Sequence, residues 1–380
     1  MRKLKIMLSL FITIYILTIT VNATDLNKEI TSSFKTELEN FQSSLPEHVQ
    51  SFFPNEFLNG DFSTLINGDI NEATFLELIG NYLFFEIDSV IKSFASILIL
   101  IILSSLLNTL GSTMLDTNIN STFTLCSTLC MSITVFNICT ALTNNVTRYI
   151  QLLCNVMNSF IPIMIATLTM SGNISCAVVS NGSMILFINI VQGFLLTFMM
   201  PLVKICLVFS AIKSFGSNCD LSGISKTLKT TFTSVTVFVM SIFMFVLSYK
   251  NTLSQSVDSI SLKTARFAIS SFVPLVGSSV NEALRTVTSS LSLIKKSCGI
   301  IAIIIIAVMM LPIIVNLLLN KLSFNLLFNF SRALGIGNEK SFLEEADQAC
   351  SFLLTIVACT CILFVFALTI FIKTNIEVSA

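Results

Sequence analysis

The sequence predicts an all-α, polytopic helical membrane protein with two internal repeats, each containing a Pro-broken Ser-Phe-x-Pro segment that can re-enter the membrane instead of crossing it. Three observations predict this. Hydrophobic residues make up 54% of the 380 and charged residues only 11%, with a mean hydropathy of +0.87; one soluble core cannot hide that much apolar surface. Apolar runs of the ~20 residues that a helix needs to cross hydrocarbon recur along the chain. Finally, Asn158-Ser-Phe-Ile-Pro162 repeats the core of Ser270-Ser-Phe-Val-Pro274, and each is followed by a second proline, in Met199-Met-Pro201 and Met309-Met-Leu-Pro312. The two proline intervals differ by a single residue.

Taken in order, residues 1–23 read as a secretory signal peptide. Arg2, Lys3 and Lys5 precede an apolar run from Ile6 to Val21, and Val21-Asn-Ala23 offers a small-residue cleavage pattern. An uncleaved anchor helix is the alternative, and both place residue 24 outside the cell. Residues 24–89 form an acidic, amphipathic, exported segment. Twelve acidic residues, from Asp25 to Asp88, stand against Lys28 and Lys35 alone, and segments poor in Lys and Arg cross membranes most readily. Phe34, Leu38, Phe41 and Leu45 recur at helical spacing, after which Pro46, Pro54, Asn59-Gly-Asp61 and Asn67-Gly-Asp69 divide the chain into short pieces. His48 is the chain's single histidine.

Residues 90–380 form the transmembrane domain. Apolar runs lie near 90–111, 122–143, 150–171, 183–212, 231–249, 297–320 and 349–372. Repeat 1 covers about 122–230, repeat 2 about 231–348, and 349–372 is the final span. Lys213, Lys226 and Lys229, and later Lys321, Arg332 and Lys340, would be cytoplasmic under the positive-inside rule. Starting from an outside residue 24, that is achieved with six full spans if both Ser-Phe-x-Pro segments dip in and return. If both cross, there are eight. The six-span arrangement leaves Lys250, Lys263, Arg266, Arg285, Lys295 and Lys296 on the outer side or within the re-entrant region.

Proline removes one backbone hydrogen bond, so in lipid it needs neighbouring protein to satisfy the freed groups. Paired broken helices are what duplicated transporters place at their centre; a kinked packing helix is the plain alternative. Charges near these segments pair with one another or face a polar cavity, because desolvation at the bilayer centre costs at least about 2.5 kcal/mol each. The residues singled out for lining a conduit or docking a partner are therefore Asp258, Lys263, Arg266, Pro274, Glu282, Arg285, Pro162 and Lys204. Asp258 and Arg266 share one helical face, so an interfacial amphipathic helix accounts for them equally well.

Catalysis finds no footing in the sequence. There is no Gly-rich phosphate loop, no Gly-x-Ser-x-Gly and no His/Glu metal spacing. All eleven cysteines fall in or beside apolar runs, where they read as small packing residues. No cofactor, metal or nucleic-acid partner is expected.

Ser259-Ile-Ser-Leu-Lys-Thr-Ala-Arg-Phe-Ala-Ile-Ser-Ser-Phe-Val-Pro-Leu-Val-Gly277 resembles the stage III sporulation protein AE family of endospore-forming bacteria. The likeness extends to Leu45-Pro46, Asn67-Gly-Asp69, Ser159-Phe-Ile-Pro162, Met200-Pro-Leu202 and Ser290-Leu-Ser-Leu-Ile-Lys295. The resemblance implies a multi-pass component of the transenvelope channel complex, in the mother-cell membrane around the forespore. Its partners would be other stage III sporulation proteins and, indirectly, a forespore-membrane partner, within membrane lipid. The acidic segment would face the intermembrane space. A secondary transporter or channel for a small solute is the competing expectation.

Overall fold

The computed structural model describes residues 72–114, 117–170, 174–214, 227, 230–249, 277–335 and 337–373, all but a few of them helical. The helices are α1 (Glu72–Met114), α2 (Thr117–Met170), α3 (Ile174–Gly193), α4 (Met200–Ser214), α5 (230–249), α6 (Gly277–Ala333) and α7 (Gly337–Lys373). A π-helical turn, Phe194–Met199, joins α3 to α4. Six stretches are long and apolar enough to cross a membrane: Ile87–Leu107, Thr122–Thr169, Gly182–Phe209, Thr230–Tyr249, Cys298–Ala333 and Phe342–Ile370. The chain is thus a multi-pass helical membrane protein. The signal peptide and residues 24–71 lie outside the described residues. From Glu72 the acidic segment supplies the first turns of α1, which continues into the first apolar run.

These sequences form helices because Leu, Ile, Met, Ala and Phe fill them, and the polar residues interspersed are mostly Ser and Thr. In an apolar medium a hydroxyl must find a partner close by. Thr143 donates to the Cys139 carbonyl at 2.8 Å, Thr236 to Phe232 at 2.7 Å and Thr360 to Ile356 at 2.7 Å. Each donor bonds one turn back along its own helix, so the helix absorbs its own polar groups.

The core centres on α6 and α7, with α2 against both. The α6–α7 hairpin closes at Gly335, whose φ of 74° is left-handed; its N–H donates to the Arg332 carbonyl and that of Leu334 to Phe330. A residue without Cβ adopts that conformation without strain, which ends α6 sharply and lays α7 back along it. At the other end of the pair Gly299 meets Ile372, and a Cβ on Gly299 would fall on that side chain.

Three expectations about proline meet the backbone differently. The dip expected at Ser159–Pro162 is absent, because α2 runs unbroken from Thr117 to Met170 with Pro162 inside it. The runs at 122–143 and 150–171 are one helix. At 1.5 Å per residue its 48-residue apolar stretch is about 72 Å long, over twice the hydrocarbon thickness, so part of α2 stands beyond that layer. Pro312 likewise lies within continuous helix, in α6. Pro201 differs from both. Just before it the helix widens, with the Met200 N–H donating to the carbonyl of Leu195, five residues back. That wider turn accommodates a proline that lacks an N–H and whose ring crowds the carbonyl four residues earlier. The second Ser-Phe-x-Pro segment, with Pro274, lies outside the described residues.

Candidate functional site

Polar groups that the apolar helices cannot absorb locally mark where function resides in a membrane bundle. Three such places stand out among the described residues, beside the buried Ser331 hydroxyl, which has no hydrogen-bond partner among them.

The first joins α6 to α7. Lys321 Nζ stands 3.1 Å from Asp347 Oδ2 and donates to Ser351 Oγ at 2.5 Å. Ser351 in turn donates to the Asp347 carbonyl at 3.1 Å. The Lys321 side chain is 37% exposed and that of Asp347 only 18%. The second carboxylate oxygen, Oδ1, is buried and accepts no hydrogen bond among the described residues. Immediately before Lys321, buried Asn320 donates to the carbonyl and side-chain oxygen of Asn316. Cys350 of α7 and Cys139 of α2 lie close by, so this cluster sits where three helices meet.

The second place is Asn158-Ser-Phe-Ile-Pro162. With no N–H on Pro162, the Asn158 carbonyl loses its partner one turn on. The Asn158 side-chain oxygen is also buried and unbonded. The expected centre at Pro162 is therefore polar, though unbroken.

The third joins α2 to α4. Lys204 is exposed and donates weakly to Asn144 Oδ1, at 3.4 Å. Arg148 follows on α2 one turn beyond Asn144.

Of the residues singled out from sequence, Asp258, Lys263, Arg266 and Pro274 lie outside the described residues. Glu282 and Arg285 are on the N-terminal part of α6, with only their backbone described. Pro162 lies within α2 and Lys204 on α4, where it meets Asn144, a residue earlier on α2 than Pro162. The Lys321–Asp347–Ser351 cluster escaped sequence reading. Lys321 served there only as a cytoplasmic marker, and the available signal was its position at the end of an apolar run with an acid at the start of the next. Among the described residues no group of three or more His, Cys, Asp or Glu could hold a metal.

The model of one family, stage III sporulation protein AE, matches residues 60–375. The chain belongs to the stage III sporulation protein AE family. It is therefore a sporulation membrane protein, and the match spans every described helix. No curated protein and no solved structure is detectably similar to it.

Proposed function

We propose that this member of the stage III sporulation protein AE family is an integral component of the transenvelope channel complex between mother cell and forespore. In that role it sits in the mother-cell membrane around the forespore and supports late forespore development. The observation that carries the reading is the family match across residues 60–375, on a chain with six helices able to span a membrane. A partly exposed ion pair between α6 and α7, and an exposed cation on α4, suit a protein that meets others inside the membrane better than one sealed by lipid. The acidic segment before α1 supplies a surface for extracytoplasmic partners, and Lys263 and Arg266 remain proposed docking residues.

The test is charge reversal of Lys263 or Arg266 in a sporulating strain, read by spore yield and by recovery of the other stage III proteins with the tagged chain. Arrest after engulfment is expected, with normal accumulation of the chain in the membrane and loss of its partners. Full spore yield from both variants would remove these residues from the mechanism. Normal spores from a strain lacking the whole chain would sink the reading. A stand-alone solute transporter drew its support from a pair of broken helices, and α2 is continuous where the first break was expected.

A further inference from the structure

In α2, from Leu142 to Thr169, every exposed residue is polar: Asn144, Asn145, Arg148, Gln151, Asn155 and Thr169. Elsewhere the exposed faces are mixed: large apolar residues such as Ile133 earlier on α2, Ile190 on α3, Val237 and Phe245 on α5, Leu318 on α6 and Ile362 on α7 stand beside polar ones such as Asn189, Ser241 and Asn325. Asn144, Arg148, Gln151 and Asn155 follow one another at four, three and four residues, the spacing of a single helical face.

This polar face lies near the middle of the 48-residue apolar stretch Thr122–Thr169. α3 and α4 pack back along α2 as a hairpin, with Lys204 meeting Asn144 at its open end. Between them, Phe187 of α3 packs edge-on against Phe364 of α7 and Phe243 of α5. Near the open end Thr236 of α5 reaches Met199, and Phe232 meets Phe352 of α7 with the two rings tilted. α2 thus packs against the apolar helices α3, α4, α6 and α7. Its inner face is buried apolar side chains, among them Ile150, Leu153, Met157 and Ile161.

Lipid cannot face such a stripe without leaving several amides and a guanidinium unsolvated. Its two cations, Arg148 and Lys204, form no ion pair among the described residues, and no acid is exposed on this part of α2. Dry protein cover would have to neutralise both charges and pair every amide; water does so at no such cost. We propose that this face of α2, with Lys204, borders a water-filled path through the membrane that favours anionic solutes. The inference rests on the chain's being an embedded component of the channel complex, and it names the surface that such a component would turn to the passage.

The test is thiol labelling of the full chain in native membranes, with the exposed Cys126 and Cys130 replaced by Ser. Charged methanethiosulfonate reagents should modify Asn144→Cys, Gln151→Cys and Asn155→Cys at least about tenfold faster than Ile190→Cys and Val237→Cys, because only a hydrated thiol ionises to react. The anionic reagent should outpace the cationic one at Gln151→Cys, and adding Arg148→Glu with Lys204→Glu should invert that order. Arg148→Gln with Lys204→Gln, which removes both charges without reversing them, should abolish the preference and guards against misfolding of the double reversal. Labelling at all three stripe positions as slow as at the two apolar positions overturns the proposal, whether lipid or protein is the cover. Fast labelling with no preference between reagents overturns its anionic part. These readouts do not depend on sporulation, so arrested spores with an unreactive stripe would refute this inference alone, and a reactive stripe in a strain that sporulates normally without the chain would refute the role in sporulation alone.

Discussion

Replacing Lys321 with Met should destabilise the α6–α7 hairpin by an amount that its structure allows to be estimated. At 3.1 Å and an effective dielectric near 20, the bare attraction to Asp347 is about 5 kcal/mol. Desolvation offsets most of that, and the 37% exposure of the lysine side chain adds screening, so the pair's net contribution is about 1–2 kcal/mol. The single substitution costs more than the pair is worth. It leaves a carboxylate whose Oδ1 already lacks a partner with no counter-charge for Oδ2, a loss of about 2–4 kcal/mol. Lys321→Met with Asp347→Leu removes both charges and should recover most of it. Cys139, Cys298 and Cys350 are buried, so their reaction with a fluorogenic maleimide on heating reports unfolding of purified protein in detergent. The expected pattern is a midpoint several degrees lower for each single variant and close to the parent for the double. Additive losses in the double variant, or single variants that unfold with the parent, would refute the reasoning, since the cycle isolates the coupling between the two sites.

The same assay tests four further substitutions. Pro162→Ala restores a donor to the Asn158 carbonyl inside a helix that is already continuous, so the midpoint should rise, by the equivalent of about 1–3 kcal/mol; a fall would mean that the proline sets a local geometry the bundle needs. Gly299→Ala places a Cβ on Ile372 and should cost about 1–2 kcal/mol; combining it with Ile372→Ala should return the crowding part of that cost, and a double variant worse than both singles would contradict the clash. Phe364→Ala removes a fully buried ring that meets Phe187 at a centroid distance of 6.4 Å, for about 3–5 kcal/mol. Phe245→Ala, 69% exposed, should stay within about 0.5 kcal/mol of the parent, and equal losses from the two would show that burial is misassigned.

Particular residues show how far the sequence could be read. Six apolar helices were legible because hydrophobic length is a property of consecutive residues, independent of how they pack. The family was legible too, in the Lys263-Thr-Ala-Arg-Phe267 region and its Phe-Val-Pro-Leu-Val-Gly extension. Proline was read too strongly. Its missing donor predicts a weakened helix, but whether the helix breaks depends on the neighbours: Pro162 is carried within a long packed rod, while Pro201 is accommodated by a π turn in its own helix. Lys204 was singled out as a charge within an apolar run, yet its contact with Asn144, some sixty residues away, is a fact of the hairpin. Asp347 drew no notice because an acid at the start of a run has the ordinary reading of a solvated helix end.

By itself the sequence determined that this protein lives in a membrane, that it is helical, and which family it belongs to. Each of these follows from composition, run length or a contiguous motif. Only the tertiary structure decided that two apolar runs are one helix, that Lys321 reaches Asp347, and that Asn144, Arg148, Gln151 and Asn155 face outward. The reason is physical. A helical face can be counted from spacing, but whether it meets lipid, water or a neighbouring helix depends on contacts between residues far apart in the chain.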